Sequence, residues 1–254
     1  MLDEKMKYHP DAVIDAFGRV AAAVAAGGPR DAVLSLIASS VCELVDADVA
    51  GVTLRLDDGM LMTVVAEGVE AESFRGRIYP PEGTSTDRVL RTGEAVVVDN
   101  LSAVPVIGAR LPGVALGPSA FVPVTIDGPY GVLSVSRLVN RPGFTEVDLD
   151  VIRCFAAQSA LVVQNDCRRR RNVALDLIAE QARIAEDLHD TAINEIFSAS
   201  LIMSGLANQA APEQRELVVK AINALDNAIK LIRQAIFGLS ESRALPDGRF
   251  DLYP

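Results

Sequence analysis

Apolar positions along the chain change period several times. After Pro10-Asp11 they recur at helical spacing, at Val13, Phe17, Val20, Ala21 and Val24, until Gly27-Gly28-Pro29 interrupts them. Val33, Leu34, Ile37, Val41, Leu44 and Val45 share one face of a second predicted helix. The pattern then turns to strands. AGVTLRL (50–56) and MLMTVVAEG (60–68) flank Asp57-Asp58-Gly59, a hairpin turn. A short helix is expected over 85–92 and a strand over 94–100, with 101–117, rich in Pro, Gly and small residues, as a loop. SAFVPVTI (119–126) and YGVLSVSRL (130–138) predict a second hairpin around Asp127-Gly128-Pro129.

The pattern after residue 145 is helical. Thr145 and Asp148 have the spacing of an N-terminal capping box. From Glu146 to Ala211 there is no proline and one glycine, Gly205. This predicts a helix of about 60 residues, about 90 Å long, which has to leave the globule it starts in. Beyond Pro212, apolar residues alternate four and three apart at Val218, Ile222, Leu225, Ile229, Ile232, Ile236 and Leu239, a heptad seam. The preceding helix carries a less regular stripe at Leu177, Ile184, Leu188, Ala192, Ile196, Ala199, Met203 and Leu206. The short link ANQAAPEQ (207–214) makes the two helices antiparallel neighbours. Ile193, Phe197 and Leu201 form a second apolar row that one hairpin cannot bury. A homodimer, with two hairpins forming a four-helix bundle, covers it; packing on the first domain is the alternative.

The expected fold is therefore α+β: an antiparallel sheet with flanking helices on one face, followed by a long helical hairpin that dimerises. The expected division is 1–165, 166–243 and a polar tail, 244–254. Charge changes at the same place. Residues 1–165 hold 13 basic and 21 acidic side chains, and residues 166–243 hold 10 and 11. The whole chain of 254 residues carries a net charge of −10, which argues against nucleic acid or an anionic membrane as a partner. Arg168–Arg171 reads as a solvated run where the long helix emerges, or as a contact for nucleic acid or an acidic protein. Cys42, Cys154 and Cys167 have no metal-ligand spacing, and the two that fall in the first domain are expected in its core. No apolar run is long enough to span a bilayer, so a cytoplasmic protein is expected.

Candidate chemistry centres on RIAEDLHDTAIN (183–194). His189 is one of only two histidines; the other is His9. It falls at the edge of the apolar stripe, where a half-buried, hydrogen-bonded histidine is the plain alternative. Three features favour a reactive one. Asp190 can hold one ring nitrogen and free the other as a nucleophile. Asn194 lies four residues after Asp190 and shares its helix face. Arg183, Glu186 and Asp187 make the surroundings polar.

This segment resembles the phosphoacceptor motif of bacterial sensor histidine kinases of the subclass that pairs with LuxR-type response regulators. IRQAIFGL (232–239) resembles the end of the second helix in their dimerisation and phosphotransfer domain, and the likeness covers about residues 175–240. It implies that His189 is phosphorylated, that Asp190 orients it and accepts its proton, and that Asn194 stands where the family has Gln. That Gln places the water which hydrolyses the partner's phosphoaspartate; Asn is one methylene shorter. The resemblance also implies a homodimer and a response regulator as partners. No glycine-rich phosphate loop appears, so no self-phosphorylation is expected of this chain alone. An ATP-binding domain would come in trans or from a longer polypeptide; otherwise the hairpin is a non-enzymatic scaffold with a relic histidine.

The first half has a resemblance of its own. SAFVPVTIDGPYGVLSVSR (119–137) and FTEVDLDVIRCFAAQSALVVQN (144–165) resemble the strand pair and closing helix of GAF domains, over about residues 10–165. Such domains bind haem, other small molecules or nothing. Residues 10–165 contain no histidine, which argues against haem, and the cyclic-nucleotide signature is missing. No other cofactor is indicated and the small-molecule ligand is open. A pocket is expected over the sheet beside residues 78–110, with Tyr79, Arg88, Arg110 and Phe121 as lining candidates. No nucleophile-base pair or metal cluster marks this half as an enzyme.

Overall fold

The computed structural model describes residues 10–104, 114–209 and 211–241; within these, the side chains of 10, 185, 188–190, 209, 212–213 and 235–241 are not described. The chain divides into two compact units, with the boundary in the sequence between Arg168 and Arg169.

The first unit is built on a six-stranded antiparallel sheet. Its strands are β1 (Val49–Arg55), β2 (Leu61–Gly68), β3 (Ile78–Tyr79), β4 (Val96–Val98), β5 (Leu116–Thr125) and β6 (Pro129–Leu138), in the order β3-β2-β1-β6-β5-β4. Both hairpins follow from turn chemistry. Gly59 takes φ 86°, and Asp58 accepts the Met60 N–H at 2.8 Å. The other turn closes with Gly128 at φ 136°. Pro123 is tolerated within β5 because β4 pairs only with Ser119–Phe121 and ends before it.

Alternation along the strands gives two apolar faces. Ala50, Val52, Leu54, Val122, Val124, Leu133 and Val135 pack under α1 (Pro10–Ala25), α2 (Arg30–Leu44) and the start of α4 (Glu146–Asp187). Phe17 of α1 and Phe155 of α4 meet with ring centroids 4.7 Å apart. Val49, Leu61, Phe121 and Val132 face the other way and pack with Val89 and Leu90 of α3 (Ser85–Thr92). Helices thus cover both faces rather than the single face the pattern predicts. The eight residues of α3 are enough for this because both ends are capped. Thr84 accepts the Asp87 N–H at 2.9 Å, and Gly93, at φ 71°, bonds back to Val89.

Gly131 shows why a small residue is needed in β6. It pairs with Leu54, and an added Cβ would stand 2.7 Å from the Thr53 carbonyl oxygen. Gly131→Ala is expected to cost about 1–3 kcal/mol by forcing β1 and β6 apart. A thermal melt with a midpoint within about 1 °C of the parent would contradict this.

Arg137 of β6 is 1% exposed and uses every N–H it has. Nε donates to the Asp46 carbonyl at 3.2 Å, Nη1 to the Pro142 and Gly143 carbonyls at 2.9 and 2.8 Å, and Nη2 to the Val45 carbonyl at 2.6 Å. Nη2 also reaches Asp148 at 3.4 Å, and the guanidinium lies 4.3 Å above the Phe144 ring. Asp148 and Thr145 form the expected capping box, with reciprocal bonds of 2.9 and 3.2 Å. One arginine therefore ties the carboxyl end of α2 to the first turn of α4. Cys154, expected in the core, is exposed, because it lies on the side of α4 opposite buried Ile152 and Phe155; Cys42 is half-buried.

The second unit is helical. After α4 come a π-helical segment, Leu188–Ile193, then α5 (Asn194–Gln209) and α6 (Pro212–Glu241). Ser200 donates to Asp226 at 3.5 Å and Arg215 to the Ala207 carbonyl at 2.9 Å. Contacts that close in toward the turn are those of antiparallel helices.

Candidate functional site

The hairpin shows an inner and an outer face. The α6 seam points inward: Ile229 is buried, and Val218, Ile222, Leu225 and Ile232 are half-buried. The side chains of Ile236 and Leu239 lie outside the described residues. From the end of the π segment along α5, the inward face includes Ile193, Ile196, Ser200, Met203 and Ala207. Of the expected stripe, Ala192, Ile196, Ala199 and Met203 are half-buried and Leu206 is 54% exposed, whereas Ile193, expected in the outer row with Phe197 and Leu201, is only 5% exposed. Phe197, Leu201, Ile202 and Leu206 of α5 and Leu217, Val219 and Leu231 of α6 remain exposed at 45–68%.

His189 and Asp190 lie inside the π segment, and their side chains lie outside the described residues. Asn194, exposed, opens α5. Four residues from Asp190 and five from His189, it lies one turn on from both, whereas a regular α-helix would align it with Asp190 alone. Six residues before the histidine, Arg183 bonds Glu180 at 2.7 and 2.9 Å and Asp187 at 2.7 Å. The hydrogen bond to Glu180, then the two carboxylate charges, raise the Arg183 pKa, and the same bond lowers that of Glu180. A π turn widens the backbone locally and recurs at functional sites. Sequence reading missed it, because no residue type marks an i→i+5 turn.

The first unit holds a cavity of about 80 Å³ between the sheet and α3. Tyr79 and Phe121 line it. Arg88 does not; it projects from the exposed side of α3, next to buried Val89 and Leu90. Arg110 lies outside the described residues. Pattern analysis missed Arg77, Thr86, Ser134 and Ser136, which also line the cavity. A β-bulge between Val52 and Thr53 adjoins it, where Thr53 and Thr63 pair their hydroxyls at 3.2 Å.

Comparison with known proteins gives two family matches. The first, described as "GAF domain", spans residues 29–164, more than half of the chain. The chain belongs to the GAF domain family. The second, described as "Histidine kinase", spans residues 180–244 and is the subclass that pairs with LuxR-type regulators. No ATP-binding-domain family matches within the 254 residues. Among solved structures, the GAF domain of a phosphoenolpyruvate-protein phosphotransferase from Coxiella burnetii is similar at 16% identity and TM-score 0.53, over 63% of this chain and 96% of that one. Its counterpart from Acinetobacter is 20% identical at TM-score 0.52, over 60% and 92%. The GAF-B domain of DevS from Mycobacterium smegmatis is 23% identical at TM-score 0.48, over 56% and 98%. The first two share the GAF fold with residues of the first unit. A GAF domain followed by a histidine-kinase hairpin supports two-component sensor kinase signalling, a class in which dimerisation and a response regulator partner are general. No helix among the described residues is long and apolar enough to cross a membrane.

Proposed function

We propose that residues 1–165 sense a signal and control phosphotransfer at His189, carried by a hairpin of residues 166–243 that dimerises into a four-helix bundle. The polar tail, 244–254, takes no part. A ring nitrogen of His189 attacks the γ-phosphorus of ATP, ADP leaves, and Asp190 takes up the ring proton. The phosphoryl group then passes to an aspartate of a response regulator, with no nucleic acid or membrane involved. ATP is held by an ATP-binding domain supplied in trans or lying beyond this chain. The long α4 carries the sensor's conformational change toward the histidine. The reading rests above all on one observation: the His-Asp pair falls within the histidine-kinase match, on a hairpin whose outer face is apolar.

A second reading, favoured by Asn194 in place of Gln, makes the hairpin a non-enzymatic dimeric scaffold with a relic histidine. Incubation of the full chain with MgATP and a histidine-kinase ATP-binding domain separates the two. Phosphotransfer gives an acid-labile, alkali-stable phosphate on the chain; the scaffold acquires none.

A further inference from the structure

We propose that the cavity between the sheet and α3 binds a short organic monocarboxylate, held at its charged end by Arg77 and the first turn of α3. Among the described residues, Arg77 is the only charged one lining the cavity, and no carboxylate lines it. Arg77 is half-buried, and its guanidinium makes no hydrogen bond or ion pair among the described residues. Arg75, two residues earlier, is saturated by contrast, reaching the Ala66 carbonyl at 3.0 Å and Glu67 and Glu72 at 3.2 Å each. A sheltered guanidinium without a partner is a natural seat for an anion.

The cavity wall opposes no such anion. Thr84 takes up the Asp87 N–H, and the N–H groups of Ser85 and Thr86 at the amino end of α3 have no partner among the described residues. Thr86 is 4% exposed, lines the cavity, and its hydroxyl makes no hydrogen bond among the described residues. The sheet side of the cavity offers further hydroxyls, from Thr53, Thr63, Ser134 and Ser136. The Ser136 hydroxyl is joined to that of Ser119 at 2.9 Å, and Ser119 also reaches the Gly117 carbonyl at 3.1 Å.

These features set the ligand's chemistry. Among the described lining residues one cation matches one negative charge, and a dianion would bring a second charge that none of them compensates. A volume of about 80 Å³ admits only a few heavy atoms. The hydroxyls lining the sheet side suit a hydroxyl or keto oxygen on the body of the molecule. A short hydroxy- or oxo-acid meets all three conditions.

The inference rests on the sensor reading for its regulatory consequence, but it can be measured apart from phosphotransfer. Isothermal titration of the full chain would use lactate and pyruvate, their neutral amides, and inorganic phosphate. At least one acid is expected to bind with a Kd of about 1 mM or below. Its amide and phosphate should bind at least about tenfold more weakly. Arg77→Gln should weaken the acid at least about tenfold, Arg77→Lys less, and Thr86→Val severalfold, with the unliganded melting temperature of Arg77→Gln unchanged. The proposal is overturned if neither acid binds at about 10 mM, if the amide or phosphate binds as well, or if Arg77→Gln binds undiminished. A chain that binds the acid but never takes phosphate refutes the phosphotransfer reading alone. One that takes phosphate but binds no acid refutes this inference alone.

Discussion

Replacing Arg137 with Met is expected to destabilise the sheet unit by about 3–5 kcal/mol, more than the loss expected for Gly131→Ala. The substitution keeps most of the apolar stem but removes five N–H donors. The carbonyls of Val45, Asp46, Pro142 and Gly143 lose their partner, and Asp148, 0% exposed, keeps its charge without its cation. Burial already pulls the Arg137 pKa down, so the guanidinium is held in place by its acceptors and not by water. Arg137→Lys should restore little, because one ammonium cannot reach groups spread around a planar fork. Calorimetry of the full chain should show the sheet unit's midpoint lowered by roughly 6–20 °C. A drop below about 2 °C would mean that the arginine can be replaced without loss.

The second large effect falls on phosphotransfer. His189→Gln should abolish phosphate incorporation, since the motif holds no other imidazole. Asp190→Asn keeps the shape and removes the proton acceptor, so labelling should slow by about 10²–10⁴-fold while the chain stays folded and dimeric. Labelling that survives His189→Gln would move the acceptor elsewhere.

Much of the fold is legible in the sequence because local chemistry and global packing agree. Asp58 and Gly59 mark one hairpin, Thr84 and Gly93 bracket α3, and the Thr145–Asp148 box starts α4 in the structure as in the pattern. What escapes is set by tertiary contact or by backbone geometry without a residue signature. Which face α3 covers depends on Val89 and Leu90 finding Val49 and Phe121. Arg137 reads as a solvent residue until four carbonyls from distant segments converge on it. Arg77 and Arg75 look alike in the sequence, yet only Arg75 finds carboxylates. The π turn at Leu188–Ile193 has no residue signature, and a helical wheel drawn at 3.6 residues per turn cannot anticipate it.

The decisive measurement is sedimentation equilibrium of the full chain at micromolar concentration. Phe197, Leu201, Ile202 and Leu206 leave an apolar face on the hairpin that a second copy would cover. The expected result is a single species of twice the chain's 27.0 kDa, reduced to the monomer by Leu201→Glu. A species of 27.0 kDa for the parent chain would contradict the dimeric phosphotransfer hairpin.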